Sequence, residues 1–133
     1  MKDSIVNSIN NGFWADSSID KLEIDFDTVR IDISLDRGLD DMITICCKDY
    51  IGFSFVGHWD ESIIEDITIE ESGTLIDESL LAVKQLYGKN PLPGGGAKNI
   101  DDCWRQLNIK LIDGNTLKVA CKDFETIERK NVL

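Results

Sequence analysis

From Gln106 to Cys121 the chain alternates polar and apolar residues twice over. Leu107, Ile109 and Leu111 interleave with Gln106, Asn108 and Lys110, and Leu117, Val119 and Cys121 follow beyond Asp113-Gly114-Asn115. Successive side chains of a strand point to opposite faces, so a period of two describes strands with one dry and one wet face. A helix would scatter the same residues around its axis. The glycine between the two runs marks a hairpin. A three-residue Asp113-Gly114-Asn115 loop matches Leu111 with Leu117, Ile109 with Val119 and Leu107 with Cys121, with Gly114 or Asn115 left-handed.

The same period recurs upstream. Leu22, Ile24 and Phe26 alternate with Glu23 and Asp25, while Val29, Ile31, Ile33 and Leu35 alternate around Arg30 and Asp32. The parity slips between these runs, so a tight turn or bulge is expected near Asp27-Thr28. "DRGLDD" reads as a turn into Ile43, Ile45 and Cys47, and a turn near Lys48-Asp49 leads to Ile51, Phe53 and Phe55. A strand from Ile64 to Glu70 places Ile67 and Ile69 inward and Asp66, Thr68 and Glu70 together on an outer face.

Two segments carry helical spacing instead. Residues 3–11 place Ile5 and Ile9 on one side. Residues 75–87 carry an apolar stripe of Ile76, Leu80, Val83 and Tyr87, with Thr74 as cap, Asp77 and Glu78 at the positive end, and Gly88 as the stop before Pro91. About seven strands, mostly joined by short turns, predict one α+β domain over residues 1–133. It is mainly antiparallel β-sheet, with one inserted helix and a short N-terminal helix. The βαβ series of a dinucleotide-binding fold is missing.

Hydrophobic residues make up 42% of the chain and charged ones 29%, which is a globular rather than a disordered balance. No run approaches the ~20 apolar residues of a membrane span, and "MKDSIVNSIN" lacks the apolar core of a signal peptide. A cytoplasmic location without membrane contact is the expectation. In that compartment Cys46, Cys47, Cys103 and Cys121 read as thiols rather than disulfides. Cys46 and Cys47 are adjacent on one strand and should face opposite ways. Neither a C-x-x-C spacing nor a second histidine supports zinc.

The net charge is −11 and the pI about 4.4, which disfavours direct binding to a nucleic-acid backbone. Its distribution is uneven. Between Asp49 and Val83 there is no Lys or Arg but nine acids: Asp49, Asp60, Glu61, Glu65, Asp66, Glu70, Glu71, Asp77 and Glu78.

Reaction chemistry is weakly represented. His58, the single histidine, shares a side with Asp60 in an extended chain, the arrangement of an oriented general base, but no nucleophile is placed beside it by the sequence. His58, Asp60 and Glu61 are too close in sequence to converge readily on a metal, and no EF-hand loop is present. "PLPGGGAK" departs from the phosphate-loop pattern because Lys98 follows Ala97 and no Ser or Thr comes next. It reads as a flexible connection. Phe13-Trp14 and Trp104 lie near element ends and read as caps of the core. No catalytic residue, cofactor or metal site is therefore assigned.

Trp59 has different neighbours. Gly57 and His58 precede it and Asp60 and Glu61 follow, giving an aromatic anchor rimmed by carboxylates, the composition of an interface that receives Lys and Arg. In size, acidity and lack of a catalytic motif, the chain resembles the small acidic immunity proteins of bacterial toxin systems. The resemblance carries no residue over. It implies a basic toxin, often a nuclease, as partner. The candidate contact residues are Trp59, Asp60, Glu61, Asp66 and Glu70, with Asp77 and Glu78 as outlying contributors. The rival readings are an accessory domain that binds a small ligand or assembles through a sheet edge, an enzyme using His58, and mimicry of nucleic acid by the acid rows.

Overall fold

The computed structural model describes residues 2–35, 41–55, 63–87 and 103–129. Among them two helices and eight strands follow in the order α1 (Lys2–Asn10), β1 (Ser18–Asp25), β2 (Thr28–Ser34), β3 (Met42–Lys48), β4 (Gly52–Phe55), β5 (Ile64–Glu70), α2 (Thr74–Tyr87), β6 (Arg105–Leu111), β7 (Thr116–Cys121) and β8 (Asp123–Arg129). The fold is α+β and mostly β, as the periodicity predicts. The strands divide into two antiparallel four-stranded sheets, ordered β1-β2-β3-β8 and β4-β7-β6-β5.

Alternation decides what each sheet buries. Val29, Ile31, Ile33, Ile43, Ile45 and Cys47 supply the inner face of the first sheet, and Ile64, Ile67, Ile69, Leu107, Ile109, Leu117 and Val119 that of the second. Both rows meet in one buried cluster. Each aliphatic side chain taken fully out of water contributes about 1.5–3 kcal/mol, which makes this layer the principal source of stability. Helix α1 closes a flank, packing against β5 and β8. It buries Ile9, while the Trp14 indole N–H donates to the Ile9 carbonyl at 2.8 Å. Trp14 and Trp104 are buried, as expected of core caps; Phe13 is 78% exposed.

Asn10 has a particular use. Its side-chain amide nitrogen donates to the Ile69 carbonyl at 3.2 Å, and its oxygen accepts from the Ile69 N–H at 2.6 Å. The amide thus stands in for a neighbouring strand along the edge of β5. At the start of β5 the Asp16 and Ile64 N–H groups bond to the Ile64 and Ser17 carbonyls. Edge groups that would otherwise invite another chain are satisfied internally.

Four local expectations need revision. The last hairpin does have a three-residue loop with Gly114 left-handed (φ 93°), but the loop is Ile112-Asp113-Gly114. The Gly114 N–H bonds back to the Leu111 carbonyl and the Leu111 N–H to the Asn115 carbonyl, so the left-handed residue closes the loop rather than centring it. The register therefore pairs Ile109 with Leu117 and Leu107 with Val119, two residues from the expected match and on the same faces. Ile112 is left 49% exposed.

The second revision concerns Phe26. The β1–β2 connection is a two-residue Phe26-Asp27 loop between paired Asp25 and Thr28, so Phe26 leaves the strand and takes φ 54°. The third is β8, which the alternation did not announce. Its inward row is Phe124, Thr126 and Glu128, facing Cys47, Ile45 and Ile43, and lacks the apolar repeat. The fourth is the cap of α2. Thr74 opens the helix, but the Asp77 N–H bonds to the Gly73 carbonyl, so the capping position is Gly73, which has no side chain to offer. The turn at 36–40 and the loop at 91–98 lie outside the described residues.

Helix α2 covers part of the outer face of the second sheet. Leu75 and Ile76 are buried with Ala120 and Trp104, and Ile51 and Leu80 pack against them. The approach is tight at Gly52, where a Cβ would overlap the Ser79 hydroxyl. Gly52→Ala is expected to push α2 from β4 and destabilise the fold by about 1–3 kcal/mol in urea unfolding. Adding Ser79→Ala removes the overlapping oxygen and should recover part of that loss, a non-additivity that a double-mutant cycle measures.

Candidate functional site

Whatever one face of a strand buries, the other must present. On the second sheet the outward residues form a grid: Asp66 pairs with Lys110 and then Thr116, Thr68 with Asn108 and then Lys118, and Glu70 with Gln106. The register slips between Ile64 and Asp66, leaving Glu65 exposed within reach of Lys110, with Nζ 3.6 Å from Oε2. With Gly73 and Thr74 at the start of α2, these side chains line an open polar basin of about 480 Å³.

The inner end of the basin is rigidly built. Gln106 is almost fully buried, and its side-chain oxygen accepts from the Leu75 N–H at 3.1 Å and the Ile76 N–H at 3.4 Å. A residue on β6 thus caps α2 in place of Gly73. A side chain at Gly73 would collide with the Gln106 amide, so glycine is what allows this approach. The Gln106 nitrogen donates to Asn108 Oδ1 at 2.7 Å, and Asn108 Nδ2 lies 3.5 Å from Thr68 Oγ1. Helix start and sheet floor are joined through one chain of amides.

Asp66 and Glu70 line this basin, together with Thr68, as the strand parity requires. Asp77 lies in the first turn of α2, and both Asp77 and Glu78 are exposed. Trp59, Asp60, Glu61 and His58 lie outside the described residues. The floor is of mixed charge, because Lys110 and Lys118 arrive from β6 and β7. On the elements that flank it, β5, the turn after it and the start of α2, the acids Glu65, Glu70, Glu71, Asp77 and Glu78 are all exposed. Sequence reading identified the outward row Gln106, Asn108 and Lys110 but not its position beside β5. That position depends on strand order, which periodicity does not encode.

The basin offers carboxylates, ammonium groups, amides and hydroxyls, which suit recognition by hydrogen bonds and charge. No thiol lines it. Cys46, Cys47 and Cys121 are buried, whereas Cys103 is exposed. Burial pushes the Cys46 thiol above its ordinary range despite the opposing Arg30 charge. Cys121 is raised well above, first by burial and then by a hydrogen bond with Cys47. Among the described residues no cluster of three or more His, Cys, Asp or Glu side chains forms a metal site. Comparison with known protein families, with curated proteins and with solved structures finds no match.

Gln106→Leu keeps the volume but leaves the Leu75 and Ile76 N–H groups without their acceptor, so a loss of about 1–3 kcal/mol is expected in chemical unfolding. At pH 8 a thiol reagent should modify one group rapidly, Cys103, and reach the other three only as the chain unfolds, because burial bars the reagent from them. Peptide mapping after a timed pulse checks the assignment.

Proposed function

We propose that this chain is a non-enzymatic protein-binding domain that receives a basic partner on the acidic side of the β4-β7-β6-β5 face, as an immunity protein receives a toxin in the cytoplasm. The observation that carries this reading is the placement of Asp66 and Glu70 on one open face, with Asp77 and Glu78 exposed at the start of the adjoining helix. Trp59, Asp60 and Glu61 belong to the proposal on the strength of the sequence alone.

Charge acts at two ranges here. The acid surplus attracts a basic surface at distances near the Debye length, which raises the association rate and falls with salt. At contact, Lys110 and Lys118 oppose a uniformly cationic partner, so the partner must present acceptors where these ammonium groups stand. Such a floor discriminates among basic proteins. The amide chain from Gln106 to Thr68 holds the floor in place before binding and so limits the ordering cost.

The volume of the basin favours a second reading, a small polar ligand held on the floor. The two are separable: Asp77→Lys with Glu78→Lys weakens a protein partner that spans the rim and leaves a ligand on the floor unaffected.

The principal test uses a protein captured from the native host's lysate at low salt and released at high salt. Asp66→Lys with Glu70→Lys is expected to slow its association about tenfold at low ionic strength and to flatten the salt dependence, with a smaller effect on dissociation. An unchanged on-rate in stopped-flow mixing would overturn the proposal.

A further inference from the structure

The edges of the two sheets are treated differently. That of β5 is occupied by Asn10 and by residues 16 and 17. Strand β1 is an edge as well, and along Lys21–Asp25 no described strand pairs with its outer side. Leu22 and Ile24 face Ile31 and Val29, so they stand on the inner side of the sheet. Val29 and Ile31 are fully buried, yet Ile24 is 50% exposed. The apolar row of the first sheet thus runs out into solvent at β1. Phe26 follows at the hairpin tip, 83% exposed and at φ 54°.

A bulky residue in the left-handed region is unusual, because Cβ crowds the backbone, and glycine or asparagine would occupy the position at lower cost. Here the ring gains no burial in return. Strain without packing is a reason to look for a contact made outside the chain.

We propose that β1 is a docking edge for an extended basic segment of a partner protein, which adds as a strand beside Lys21–Asp25 and covers Ile24 and Phe26. The occupant follows from charge. Asp20, Glu23, Asp25 and Asp27 outweigh Lys21 along this stretch, although Arg30 faces Glu23 from β2. A second copy would bring the same acid surplus against itself, which opposes self-pairing. An anionic lipid surface or a nucleic acid would be repelled in the same way. An extended segment with alternating side chains fits both faces. Its apolar residues continue the inner row beside Leu22 and Ile24, and its Lys or Arg residues lie beside Glu23 and Asp25 on the outer side. This edge belongs to the other sheet from the basin, and the inference does not rest on the function proposed there.

The probe is a blocked seven-residue peptide alternating Lys and Val, titrated into the full chain and followed by amide NMR. Shifts and slowed hydrogen exchange, about tenfold, are expected at residues 21–25. N-methylation of the peptide edge that meets β1 should weaken binding at least tenfold, while N-methylation of the opposite edge has little effect. Phe26→Asn should weaken binding about fivefold without lowering Tm, since asparagine tolerates the positive φ. At high salt, where long-range attraction is screened, Asp66→Lys with Glu70→Lys should leave the peptide affinity unchanged within about twofold, which separates this edge from the basin. Equal binding by both N-methylated peptides, or shifts confined to the basin, would show charge attraction alone and overturn the proposal. A fall in Tm for Phe26→Asn would assign the ring to folding and overturn it as well.

Discussion

Burial of two aliphatic rows against each other governs the molecule. Once Ile31 and Ile45 on one sheet and Ile67, Ile109 and Leu117 on the other are withdrawn from water, the parity of each strand is set. A slip of one residue would turn an entire row outward and lose several kcal/mol of burial. The outer faces are the complement of this choice. Asp66, Thr68 and Glu70 are displayed because Ile67 and Ile69 are buried, and Gln106 reaches the start of α2 because Leu107 is buried beside it. The polar basin follows directly from the core.

Local parity is therefore legible in the sequence. The period of two placed Asp66, Thr68 and Glu70 on one surface, and the helical spacing of Ile76, Leu80 and Val83 identified the helix. Departures arose where a tertiary or turn-specific force competed. At the last hairpin the left-handed glycine terminates the loop and draws Ile112 out of its strand. Strand β8 pairs along β3 through its backbone while facing inward with a threonine and a glutamate, which an apolar template passes over. The cap of α2 comes from Gln106, 33 positions beyond the Gly73 it replaces in that duty, and no local pattern links the two. Phe26, which alternation alone makes a strand residue, is an exposed aromatic on an acidic hairpin.

The acid-rich middle of the sequence also changes meaning in three dimensions. Asp66 and Glu70 share the basin with lysines that come from β6 and β7, roughly 40–50 residues later in the chain. A stretch without a single Lys or Arg thus becomes a face of mixed floor and acidic surround. For the basic partner proposed above, net charge provides attraction and the interleaved lysines the selectivity that attraction alone lacks. Elsewhere opposite charges are used structurally, as where Lys48 on β3 pairs with Glu125 on β8, a contact that raises the lysine pKa and lowers that of the carboxylate.

The central claim is that a basic protein meets this chain across the acidic side of the β4-β7-β6-β5 face. Carboxyl-selective footprinting of the chain alone and in complex with the partner captured at low salt tests it most directly. The account predicts that Asp66, Glu70, Asp77 and Glu78 lose reactivity together in the complex while Glu125, exposed on β8 of the other sheet, keeps it. Undiminished labelling of those four carboxylates in a complex shown to be formed would contradict it.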